Sequence, residues 1–269
     1  MQKPHSHALS SESRQTAADF TIVDGHAHLG PREIGDEYAA MGETYSAEQI
    51  IQSMDGNGIK MATVWAMRRP DDYTQANQYI AAAARKHPHR LIAFARYNPW
   101  LPNSAERLME AIRNEGIKGL KLHPGDDSFD PDDSIVHPLL EVAGRERIPV
   151  VLHTGGNARP SMVGLVADRF PDVKFVLLHL GGYHDYVFVA KKCENVFLET
   201  SQCLYLHRIA RQVVNVVGAD RVIWGSDVPY HFQEVEKRKI ELAGLRKEEL
   251  EQIMGGNVLK LLSIKSGRP

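Results

Sequence analysis

Two histidines one residue apart, His26 and His28, close a short apolar run that begins at Phe20. On a strand, side chains two apart share a face, so both imidazoles can reach one ion. Imidazole is the commonest protein ligand for a borderline-soft divalent cation. Alone the pair is weak evidence, because a His-x-His near an N-terminus also arises incidentally. Three later segments strengthen it: the apolar runs 149–152, 174–178 and 221–226 end in His153, His179 and Asp227. Each histidine by itself reads as a core or rim residue bonded to a carbonyl. Four histidines and an aspartate at strand ends read as a site, since polar residues at the carboxyl ends of buried parallel strands are how barrel active sites are built.

The elements that would carry these residues alternate regularly. Strand-like runs fall at 20–24, 61–66, 91–95, 117–122, 149–152, 174–178, 196–199 and 221–224. Amphipathic stretches lie between and after them at 46–54, 75–87, 104–115, 135–146, 161–170, 183–192, 205–217, 247–254 and 258–264. Asn103 and Ser104 supply cap-forming side chains for a helix start, and Gly116, Gly144 and Gly218 fall where helices should end. Such alternation demands a parallel sheet with right-handed crossovers. Eight units close best as an α/β (β/α)8 TIM barrel, a single domain over residues 20–269. An open doubly wound sheet is the runner-up, but Gly25, Gly30 and Gly35 lack the G-x-G-x-x-G spacing of its phosphate loop. It would also separate the first strand from the eighth, whereas a closed barrel lets His26, His28 and Asp227 meet.

Composition narrows the classes. A chain of 269 residues can bury a core without staples. A formal charge of −2 offers no basic footprint for nucleic acid or an anionic membrane, which leaves small molecules as partners. Two cysteines, Cys193 and Cys203, make no disulfide framework and fit a reducing, cytoplasmic setting. No apolar run approaches the length of a membrane span. Residues 1–19 are polar and lack the apolar core of a secretory signal, so a flexible tail is expected; His5 and His7 within it repeat the spacing without a strand to hold them.

With these residues in place, the chain resembles the amidohydrolase superfamily, in its amidohydrolase-related (amidohydrolase 2) branch of small metal-dependent hydrolases and aromatic-acid decarboxylases. The resemblance spans about residues 20 to 264. It is carried by Val23-Asp24-Gly25-His26-Ala27-His28, Gly119-Leu120-Lys121-Leu122-His123-Pro124, His153-Thr154-Gly155 and His179-Leu180-Gly181-Gly182. Leu198-Glu199-Thr200-Ser201, Trp224-Gly225-Ser226-Asp227-Val228-Pro229 and Gly256-Asn257-Val258 complete it. It implies that His26, His28, His153 and Asp227 hold a metal, with His179 beside it. Connections here are shorter than in relatives of decarboxylase type, which implies a shallow pocket or one completed by a second subunit of a homodimer.

Such ligands with one open position make a catalytic site, where the pKa of a bound water falls to roughly 7. One divalent ion is expected, zinc first and manganese as the alternative. Asp227 is then ligand and general base, and His179 polarises the substrate or shuttles a proton. Lys121 shares the inward face with His123 by the two-residue period, and a core lysine must be paired or functional. It could pair with Glu199, become carboxylated between two metals, or contact an anionic substrate. Arg68, Arg69 and Arg96 follow the second and third strands, where a guanidinium suits a carboxylate. Lys121, His123, Arg68 and Arg96 are therefore the candidate substrate contacts. Asn257 reads as a cap of the final helix, and Trp100 and Tyr230 as apolar walls.

The leading functional expectation is a hydrolase whose metal-bound hydroxide attacks an amide, lactone or ester-like bond of a carboxylate-bearing substrate. A metal-dependent non-oxidative decarboxylase or hydratase is the alternative. A non-catalytic metal-binding barrel is the third, and it would close every coordination position with protein.

Overall fold

A computed structural model describes residues 20–31, 44–68 and 72–264. The expected tail 1–19 and Arg69 lie outside the described residues. Eight strand positions follow one another: β1 (Val23–Pro31), β2 (Met61–Ala66), β3 (Leu91–Ala93, resuming as Ala95–Arg96), β4 (Leu120–Leu122), β5 (Val150–Leu152), β6 (Phe175–Leu177), β7 (Val196–Glu199) and β8 (Val222–Ile223). All neighbouring pairs among them are parallel; the two-residue strand Thr44–Tyr45 pairs antiparallel with the end of β1.

At Phe94 the third strand changes partner. Phe94 N donates to Val64 O on β2, and Ala95 N donates to Gly119 O beside β4. The two outer strands also meet, because Gly25 N donates to Trp224 O, Asp227 N to His26 O and His28 N to Val228 O. These bonds join the ends of the strand series and bring His26 and His28 against Asp227. The fold is the expected (β/α)8 TIM barrel.

Helices cover the outside: α1 (Ala47–Asn57), α2 (Thr74–Lys86), α3 (Ser104–Glu110), α4 (His137–Glu146), α5 (Pro160–Arg169), α6 (Tyr183–Lys192), α7 (Leu206–Val217), α8 (Gln233–Glu241), α9 (Lys247–Glu251) and α10 (Asn257–Leu261). The start of α1 shows why: Ser46 accepts from Gln49 N, Gln49 answers to Ser46 N, and Gly58 ends the helix in a left-handed conformation at φ 67°. Apolar stripes of these helices bury against the strands, Ile50 and Met54 on α1 and Val213, Val214 and Val217 on α7. A second cluster fills the barrel interior with Val23, Trp65, Phe94, Val151, Val176 and Ile223, closed by Val258 and Leu259 of α10. None of the described helices is long and apolar enough to cross a membrane.

Several expectations shift. The first strand begins at Val23 and runs on to Pro31, so His26 and His28 lie within it rather than past its end. A register irregularity between Asp24 and Ala27 accommodates them. The stretch 104–115 is interrupted, with a π turn at Ala111–Glu115 after α3, and Gly144 lies inside α4. Asn103 makes no side-chain cap bond. Asn257 does not cap the last helix: buried, it donates to Ala219 O and Val222 O and pins the entry to β8.

Candidate metal centre

The C-terminal ends of the strands deliver the chemistry. His26 Nε2 lies 3.2 Å from His28 Nε2 and 3.0 Å from Asp227 Oδ1, and His28 Nε2 lies 3.1 Å from the same oxygen. Two imidazole nitrogens and a carboxylate oxygen this close can share either a proton or a cation. Donors 2.0–2.1 Å from a tetrahedral zinc stand about 3.3 Å apart, so the triangle fits adjacent ligands of one cation. His26, His179 and Asp227 also offer ligand atoms that all lie within 4.8 Å of one another.

His153 stands one step further out. Its Nδ1 is 2.9 Å from His179 Nε2, and its ring stacks on His123 with centroids 3.8 Å apart. His123 Nδ1 accepts from Asp126 N, so that imidazole starts the helical turn Pro124–Asp127. Tyr230 meets His28 edge-on at 5.1 Å and walls that side, while Trp100 is 56 % exposed and donates to Ser128 O.

Electrostatics leave the site ready for a cation. Burial opposes charge on His26, yet Asp227 and Glu199 outweigh it and lift its pKa to about 9. Burial holds His28 down to about 4 and His153 to about 3, and pushes His179 and His123 well below the ordinary imidazole range. Burial would raise Asp227, but His26 and His28 draw it well below the ordinary carboxylate range. Neutral imidazoles and an ionised carboxylate are the forms that ligate.

The surrounding shell is dense. Glu199, fully buried on β7, accepts from His26 Nδ1 at 3.1 Å, from Ser201 Oγ at 2.7 Å and from His179 N at 3.2 Å. A carboxylate on the far nitrogen fixes the tautomer that turns Nε2 toward a metal. Asp24 accepts from Ser226 N, Ser226 Oγ and Gln233 Nε2, tying β1 to the turn that carries Asp227; burial still raises it to about 6. Gln202 Nε2 donates to Asp227 Oδ2 at 2.5 Å. His179 and Asp227 hold left-handed backbone at φ 77° and 58°, a local cost typical of functional positions.

Gly225 has no room for a side chain: a Cβ there would stand 2.5 Å from His26 Cβ and 2.6 Å from Glu199 Oε1. Gly225→Ala is therefore expected to cost about 1–3 kcal/mol of stability, read as a lower thermal midpoint, and to weaken metal binding by parting His26 from Glu199. An unchanged midpoint would contradict this packing.

Two expectations need correction. Lys121 makes no salt bridge with Glu199, whose oxygens are taken by His26, Ser201 and His179. Arg96 is 1 % exposed and does not reach toward a substrate, because its guanidinium pairs with Asp126 at 2.7 Å and Asp127 at 3.5 Å and lies over Tyr73. Arg68 sits nearer the rim, its side chain 55 % exposed and its Nε 3.9 Å from Asp126. Trp65 packs on the His26 ring at 4.8 Å; nothing in the sequence marks it or Gln202 as part of the site, and only the Leu198-Glu199-Thr200-Ser201 motif points to Ser201.

Solved structures share this architecture. 5-Carboxyvanillate decarboxylase from Sphingomonas paucimobilis is 18% identical with a TM-score of 0.71, over 91% of this chain and 100% of that one. A dihydroxybenzoic acid decarboxylase from Polaromonas, with bound manganese and the inhibitor 2-nitroresorcinol, is 16% identical with a TM-score of 0.72, over 91% and 97%. An uncharacterised TIM-barrel protein from Bordetella bronchiseptica is 22% identical with a TM-score of 0.73, over 91% and 99%. At these identities the likeness shows the fold. The family profile described as Amidohydrolase matches residues 23–264, so the chain belongs to that family.

Proposed function

We propose that the protein is a divalent-metal-dependent, non-oxidative decarboxylase of a small acid whose carboxylate stands beside a phenolic or enolic oxygen. The observation that carries this reading is a hydrogen-bonded chain from Glu199 through Ser201 Oγ and His179 to His153 at the rim. When the C–C bond to the carboxylate breaks and CO2 leaves, the electron pair stays on carbon, and that carbon must take a proton. The chain passes a proton to His179 beside the ligand cluster, and solvent at the half-buried His153 replenishes it.

His26, His28 and Asp227 would hold the cation, with His153 and His179 adjoining. When bound, it supplies Lewis-acid polarisation of substrate oxygens. Imidazole and carboxylate donors suit zinc and manganese alike, and manganese is the ion in the similar Polaromonas structure. One ion per chain is the reading we adopt.

Hydrolysis of an amide, lactone or ester-like bond is the second reading, favoured by family membership. It asks Asp227 to take a proton from water. Both of its oxygens are hydrogen-bonded, Oδ1 to the two imidazoles and Oδ2 to Gln202, so a proton reaches Asp227 only as one of these contacts gives way. Metal-loaded protein supplied with hydroxybenzoates, lactones and N-acyl compounds is expected to release CO2 from a hydroxybenzoate. Acid release from a lactone or amide without any CO2 would reverse the order of the two readings.

A further inference from the structure

Lys121 points into the barrel from β4, one strand period before His123, and is 1 % exposed. Its neighbours in register are Arg96 and Val151. The ammonium stands 5.2 Å over the Trp65 ring and forms no hydrogen bond or ion pair with any described residue. Trp65 is fully buried, and among the described residues its indole Nε1 has no acceptor; neither does Arg96 Nε on the strand between them. The nearby acids are already used. Glu199 serves His26 and Ser201, Asp126 and Asp127 serve Arg96, and Asp227 serves His26, His28 and Gln202.

Two buried donors without acceptors among the described residues, on strands next to an unpaired lysine, are unusual, because buried polar groups are nearly always satisfied. The Trp65 face eases a cation above it but does not replace an anion. Burial and the Arg96 charge hold Lys121 down to about 7, against the pull of Asp227, Asp126 and Glu199. An arriving anion would supply the missing acceptor and restore the charge.

We propose that Lys121, held over the Trp65 ring, is an anion subsite in the barrel interior that takes a second ionised oxygen group of the substrate. The substrate class is then a small acid with two anionic groups, one at the ligand cluster and one at Lys121. This inference rests on reading His26, His28 and Asp227 as a metal centre.

The test is binding rather than turnover. Manganese-loaded wild type and Lys121→Met are titrated calorimetrically with benzene-1,3-dicarboxylate and with benzoate, and metal content is measured in both proteins. Wild type is expected to bind the dicarboxylate about tenfold or more tightly than benzoate, the worth of one charge-assisted contact. Lys121→Met should erase that preference while keeping its metal and its benzoate affinity. It should also melt no lower than wild type, since methionine fills the same space without an unpaired charge. A preference absent from wild type or surviving in Lys121→Met would overturn the subsite, as would a Lys121→Met protein that melts several degrees lower. A preserved preference in a protein that releases no CO2 supports the subsite while removing decarboxylation.

Discussion

Replacing Asp227 with asparagine is expected to lower turnover by about 10² or more, the range for losing a group that both ligates and manages a proton. The reason is geometric. Asp227 accepts on both oxygens, from the imidazoles at Oδ1 and from Gln202 at Oδ2, whereas an asparagine amide accepts on one side only. Either orientation sets an N–H against a donor or against the cation. Steady-state rates and metal content measured together check this. A variant that keeps its metal and loses less than tenfold in rate would reduce Asp227 to an orienting group and shift the proton chemistry wholly to His179.

Glu199→Gln is expected to weaken metal affinity by about 10- to 100-fold, the usual effect of removing a partner that orients a ligating histidine. Glu199 presents only acceptors, and every group around it is a donor: His26 Nδ1, Ser201 N, Ser201 Oγ and His179 N. A glutamine N–H must face one of them. The His26 tautomer is then no longer held with Nε2 toward the cation. Buried donors left without acceptors should also cost about 1–3 kcal/mol of stability. Competition with a chelating dye reads the affinity, and a value within threefold of wild type would mean that His26 is oriented by packing on Trp65 alone, whose ring centroid lies 4.8 Å away.

Much of the frame is legible in the sequence, and the reasons are local. Runs such as Val150–Leu152 and Phe175–Leu177 are wholly buried, so they read as uninterrupted apolar segments, and the polar residues that follow them, His153 and His179, announce the carboxyl end. His26 and His28 are legible because a strand repeats every two residues. Helix α8 is not, since Gln233–Glu241 carries Glu234, Glu236, Lys237, Arg238, Lys239 and Glu241 and offers little apolar stripe beyond Val235 and Ile240. The link between Glu199 and His26 spans 173 residues and depends on the barrel bringing β7 near β1, which no local pattern encodes. The supposed Lys121–Glu199 pair fails for the same kind of reason. Two inward charges of opposite sign suggest a bridge, but Ser201, two residues on, and the His179 backbone satisfy Glu199 first.

Arg96 illustrates the limit for cations. Its place after the third strand suggested the mouth of the barrel, yet Asp126 and Asp127 on the turn after β4 capture its guanidinium. That turn starts because His123 accepts from Asp126 N and Pro124 fits the first helical position. Arg96 thus braces the loop on which Arg68 also leans.

One divalent cation is expected between the first strand and the turn that follows the last. Crystals grown with manganese and measured for anomalous scattering test it most directly. The expected result is a single peak per chain within bonding distance of His26 Nε2, His28 Nε2 and Asp227 Oδ1, with Lys121 unmodified. No peak there, or two peaks about 3.5–4 Å apart bridged by a carboxylated Lys121, would contradict it.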